Sequence, residues 1–134
     1  MNPYTACGCW PHRGEFVASV VDTEGRLHRA ALEPGADPDY EDFLRALENQ
    51  HGLHLQLVLP EPLLRGHPLA VIARARGMTV LAAPYLLAEA ISAVAFSRST
   101  PLRLATVLAR LPGSRFQGHL RLLPHHDPRQ LSLL

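Results

Sequence analysis

The chain has 134 residues, of which 47% are apolar and 19% charged, with a formal net charge of +1. That length holds one domain with a core of its own, and that balance excludes a disordered polar chain. Its only cysteines, Cys7 and Cys9, lie one residue apart, a poor placement for a structural disulfide, so the chain reads as intracellular and cytoplasmic.

The opening residues do not follow a secretory pattern, which needs a charged start and then an apolar stretch. Residues 78–97 are apolar enough to suggest a membrane span, but Pro84 and Glu89 interrupt them. A charge at a span centre costs about 3 kcal/mol, so a strand followed by a helix is expected there and no membrane partner. Charge is unevenly spread. Residues 1–97 carry seven arginines against eleven acids, and residues 98–134 carry six arginines against Asp127 alone. The basic C-terminal third is the one charge feature pointing toward an acidic partner.

In chain order, Tyr4–Trp10 is a short apolar run and Pro11–Gly14 has turn chemistry. Glu15–Asp22 is β-branched and apolar on both faces, the strongest strand signal in the chain. Thr23-Glu24-Gly25 predicts a tight turn, and Arg26–Leu32 a third, more exposed strand, which together make an antiparallel meander. After a loop at Pro34–Ala36, Asp37 and Pro38 predict a helix start. Tyr40, Phe43, Leu44 and Leu47 form its buried face, and Gly52 stops it. Leu53–Leu59 alternates as a strand, ended by Pro60-Glu61-Pro62. Pro68–Arg76 predicts a helix with Leu69, Ile72 and Ala73 inward, closed by Gly77. Met78–Ala82 is a short buried strand. Pro84 opens a further helix with Leu87, Ala90, Ile91 and Val94 as its inward stripe and Glu89 opposite. Thr100 caps a last helix, with Pro101 at its first position, that runs to Leu111 and ends at Pro112-Gly113. Residues 1–123 are expected to form one domain and residues 124–134 a tail.

The predicted order is β-β-β-α-β-α-β-α-α, a mixed α/β sheet of five strands flanked by helices. This is the ribonuclease H-like order. Gly8–Leu27, with VASVVDTEGRL inside it, resembles the opening hairpin of DEDD-type insertion-sequence transposases, whose N-terminal domain is similar to the RuvC junction resolvase. Gly77–Pro84 (GMTVLAAP) resembles that family's later strand, and Ser99–Leu111 (STPLRLATVLARL) its late helix. The resemblance implies four carboxylates around a pair of divalent metals that clamp a phosphodiester, since hard cations need oxygen ligands.

Carried over position by position, the first acid falls on Trp10. The second falls on Pro60 or Glu61, and the last two on Pro101 and Leu104. At most one acid, Glu61, survives, and a single carboxylate cannot hold a metal pair. The expectation is a catalytically inactive, degenerate and truncated domain without metal or cofactor, acting as a binding or self-associating module. The alternative is a metal-dependent nuclease or nucleic-acid-binding protein of the RuvC-like class, with Glu61 as the acid to test first because ligand sites lie at strand carboxyl ends.

Other chemistry-bearing groups have plainer readings. Cys7, Cys9 and His12 offer three metal ligands, but alternate cysteines in a strand more simply share one buried face. His125, His126 and Asp127 sit in a proline-rich tail. Asp22 and Glu24 fit a hairpin turn. Arg98, Arg103, Arg110, Arg115 and Arg121 are the candidate nucleic-acid contacts, against the alternative of a solvated face. Trp10 and Tyr4 offer stacking surfaces, although strand aromatics usually pack inward. The partners expected are therefore a second copy of the chain or a nucleic acid held weakly by the basic third.

Overall fold

The computed structural model describes residues 3–13, 15–30, 40–52, 54–62, 66–96 and 98–123. Strand β1 (Thr5–His12) and strand β2 (Glu15–Val21) form the opening hairpin, in register from Ala6 opposite Val21 to His12 opposite Glu15. Pro11 and His12, expected in a turn, belong to the strand. The parallel ladder of β1 with β4 (Leu55–Glu61) stops at Gly8 opposite Val58, so Pro11 withholds no donor from it. His12 lies opposite Glu15, and Arg13 takes a positive φ of 52°.

Strand β3 (Leu27–Ala30) pairs antiparallel with β2. Asp22 builds the turn between them. Its Oδ1 accepts the backbone N–H groups of Glu24 and Arg26, both at 2.9 Å, and its Oδ2 meets His28 Nε2 at 2.8 Å. The backbone of Gly25 has φ 83°, a conformation glycine adopts without a Cβ clash. The turn reading of Asp22 and Gly25 therefore holds.

Helix α1 (Tyr40–His51) buries Phe43, Leu44 and Leu47, as its spacing predicts. Asp37 and Pro38 lie outside the described residues. Strand β4 starts two residues later than expected and keeps Pro60 and Glu61, which pair with Ala83 and Pro84 of β5 (Thr79–Pro84). Helix α2 (Pro68–Ala75) is capped by His67, whose Nδ1 accepts the Leu69 N–H at 3.1 Å. Arg76, just past α2, donates to both carboxylate oxygens of Glu48 and to Glu41, tying α2 to α1.

Helices α3 (Tyr85–Ala95) and α4 (Pro101–Arg110) follow β5. Thr100 caps α4 by accepting the Arg103 N–H, with Pro101 in the first turn as expected. After a 3-10 turn at Gln117–His119, Arg121–Leu123 form β6, antiparallel to β5. Among the described residues the sheet thus has six strands where five were expected, in the order β3-β2-β1-β4-β5-β6. Three residues are too few to show an alternation, which is why β6 escapes a sequence pattern.

The sheet divides the core in two. Cys7, Cys9, Phe16, Val20, Leu57 and Val80 face α1 and α2, and Ala6, Trp10, Val58 and Ala83 face α3 and α4. On α3 the expected inward stripe holds only in part: Leu87 and Ile91 are half-buried, Ile91 against the core. The buried residues are Ala88 and Ser92, while Ala90 and Val94 face out, Val94 at 91% exposure. Apart from Glu89, which is exposed as expected, and Ser92, this helix is apolar all round, so periodicity chooses its buried face poorly. Ala88 and Ser92 turn inward, and Ser92 reaches Ser99 at 2.9 Å. Among the described residues no helix is long and apolar enough to cross a membrane.

Candidate functional site

The resemblance places its chemistry where β1, the end of β4 and α4 meet. Alternation along β1 turns Ala6, Gly8 and Trp10 toward α4. The contact is closest at Gly8, where a Cβ would stand 2.0 Å from the Ala105 carbonyl oxygen and 2.7 Å from the Ala109 nitrogen. Helix α4 buries Leu104 through Ala109 in an unbroken run, so it lies on the sheet almost backbone to backbone. Beside Gly8, Ser19 on β2 meets Thr106 on α4 at 3.0 Å. The Thr106 hydroxyl donates to the Leu102 carbonyl, so Ser19 donates and Thr106 accepts. This pair satisfies both hydroxyls within an otherwise apolar interface.

Trp10 and Leu104, two of the positions expected to have lost an acid, belong to one buried apolar cluster with Val58 and Ala83. Pro101 opens α4. Pro60 is buried, and Glu61 is half-buried at the carboxyl end of β4. There it forms an ion pair with Arg121 on β6. The four expected positions therefore hold an indole, either a buried proline ring or a carboxylate engaged by a guanidinium, a second proline ring and an isobutyl group. Apolar packing fills the junction between Trp10 and Leu104.

Cys7 and Cys9 do share a buried face, with sulfurs 3.9 Å apart. Burial, reinforced by the neighbouring Cys7 thiol, pushes the Cys9 thiol well above its ordinary value. It stays protonated, a poor state for a ligand or a nucleophile. His12 is exposed. Among the described residues no three His, Cys, Asp or Glu side chains are grouped to hold a metal ion. His125, His126 and Asp127 lie outside the described residues.

The five arginines do not act alike. Arg121 is engaged by Glu61. Arg103 donates to the Arg98 carbonyl and lies 5.2 Å over the Phe96 ring. Arg115 lies 4.8 Å over the Phe116 ring. Arg98 and Arg110 are exposed. Trp10 is buried in the core, and Tyr4 is exposed at the surface.

The roles of Gly8, Ser19 and Thr106 went unread in the sequence. The one available signal was a glycine between two cysteines in a strand, which marks a close backbone approach. No protein-family model matches this chain, and no curated protein matches it.

Proposed function

We propose that this chain is a non-catalytic ribonuclease H-like domain, a degenerate relative of the N-terminal domain of DEDD-type transposases, that works by binding a second copy of itself. The antiparallel meander β3-β2-β1, followed by parallel β4 and β5, supports the fold. The observation that carries the loss of activity is the seating of α4 on Gly8, with Trp10 and Leu104 packed in the same apolar cluster. A metal pair needs several converging oxygen ligands, and this junction offers indole and aliphatic carbon instead.

Self-association is supported by α3. Its outer side presents Leu86 at 62% exposure and Val94 at 91%, with Ala90 and Ala93 exposed between them. Glu89 is exposed at the edge of this side, but side chains as large and as open as Leu86 and Val94 favour an interface, because water solvates them poorly.

The experiment joins two measurements on one preparation. Four-way junctions, single strands and RNA–DNA hybrids are incubated with the protein in Mg²⁺ and Mn²⁺, and light scattering gives the mass. The expected result is no cleavage and a dimer that Leu86→Lys with Val94→Glu returns to monomer. Cleavage abolished by Glu61→Gln would establish the nuclease alternative. A monomer that binds DNA at low salt, with log affinity falling about 0.9 per phosphate neutralised against log salt, would establish a nucleic-acid module instead.

A further inference from the structure

We propose that Asp22, His28 and His51 form an acid-sensitive latch that ties the edge strand β3 to the end of α1 and opens when His51 takes a proton. Strand β3 is last in the sheet, next to β2. Its His28 stands opposite Val20, whose side chain is buried on the α1 side of the sheet, and paired residues share a face. His28 is thereby brought to His51, the last residue of α1, where Gly52 stops the helix with a φ of 82°. The two imidazoles meet edge to face with ring centroids 5.4 Å apart. Asp22 fixes the orientation of the first ring. Its Oδ1 is held by the turn, and its Oδ2 bonds His28 Nε2 at 2.8 Å.

The charged groups around the pair serve the two rings unequally. The Asp22 carboxylate stays ionised, because the bond to His28, and then those from the Arg26 and Glu24 N–H groups, hold it below its usual range. A proton on His28 is therefore set against a negative charge. A proton on His51 is not, since among the described residues no carboxylate bonds its ring. Glu48, one turn earlier on α1, is engaged by Arg76, and Glu24 in the turn is engaged by Arg26. Burial, and then the charge of His28, lowers the pKa of His51 from 6.5, with Asp22 opposing. Two protonated rings in contact repel, and the favourable edge-to-face packing is lost. Because the folded pKa is depressed, the latch holds above the unfolded value of 6.5 and weakens as pH falls through the lower folded value. His28 is exposed and His51 half-buried, so the rings can part by a local opening of β3 and the last turn of α1 while the core stays closed. The latch lies on the α1 side of the sheet, opposite α3, so it is separable from self-association.

The test is hydrogen exchange followed by NMR on the full chain at pH 7.5 and 5.0, with each rate divided by that of an unstructured chain at the same pH. Amides of β3 and of the last turn of α1 should lose more protection on acidification than those of β4, which report the whole fold. His51→Phe keeps a ring against His28 without a charge, and it should erase that extra loss. Asp22→Asn keeps an acceptor for the turn but removes the charge that favours a proton on His51, so the loss should begin at lower pH. A merely structural contact would give neither change. Equal losses in β3 and β4, an extra loss that survives His51→Phe, or an onset that Asp22→Asn leaves in place overturns the proposal.

Discussion

Gly8 and Ala105 are in backbone contact across the β1–α4 interface: any side chain on Gly8 would begin 2.0 Å from the Ala105 carbonyl oxygen. The neighbours are main-chain atoms of a helix held on both sides, so nothing nearby can swing away. Gly8→Ala therefore has to lift α4 off the sheet. Overpacking of a tight core costs roughly 1–3 kcal/mol, and this position should fall at or beyond the upper end. Urea unfolding of the variant checks it; a loss below about 0.5 kcal/mol would show that the helix can shift freely. Gly8→Asp, which adds further bulk and a charge at the same point, should be harsher still.

Ser19 and Thr106 are coupled across the same interface. Thr106→Val removes the acceptor and leaves the buried Ser19 hydroxyl unpaired, at a cost of about 1–3 kcal/mol. Ser19→Ala removes the donor but leaves Thr106 its bond to the Leu102 carbonyl, so about 1 kcal/mol is expected. The double variant should cost less than the two singles together, because no orphaned hydroxyl remains. A double-mutant cycle with strictly additive losses would contradict the pairing.

His67 gives the fold a dependence on pH. Burial lowers its pKa from the ordinary histidine value of 6.5, and its Nδ1 must be unprotonated to accept the Leu69 N–H that starts α2. His51 is lowered as well, by burial and then by His28 nearby. A group whose folded pKa is depressed contributes stability above its unfolded pKa and loses it as pH falls through the folded value. Stability should thus decline as pH drops below about 6.5, the unfolded histidine value. His67→Asn keeps a capping acceptor without a titrating group, so it should flatten part of that decline. Denaturant midpoints at pH 7.5 and 5.0 for both proteins make the comparison, and identical slopes would remove His67 as a cause.

The pair of Glu61 and Arg121 holds β6 against the end of β4, but it is open to water, with the Arg121 side chain 49% exposed. Exposed pairs are worth about 0–1 kcal/mol. Glu61→Gln should accordingly move the thermal midpoint little, while raising the hydrogen-exchange rate of the β6 amides. A collapse of the whole fold would mean that Glu61 holds more than this strand end.

The local chemistry of the sequence was enough to place several elements. Thr100, Pro101 and the Pro112-Gly113 stop bounded α4 because capping and ring constraints act within a few residues. Asp22 and Gly25 made the β2–β3 turn for the same reason. The period of Phe43, Leu44 and Leu47 chose the buried face of α1.

The tertiary structure decided everything that depends on what lies opposite. The helix α3, apolar but for Glu89 and Ser92, had too weak a periodic signal to say that Ala88 and Ser92 face inward and Val94 faces water. Strand β6 exists because β5 offers it an edge, and Arg121 meets a carboxylate 60 residues away. The reason for Gly8 lies in Ala105, nearly a hundred residues on. Contacts between distant residues are set by the closure of the chain as a whole, and no local pattern carries them.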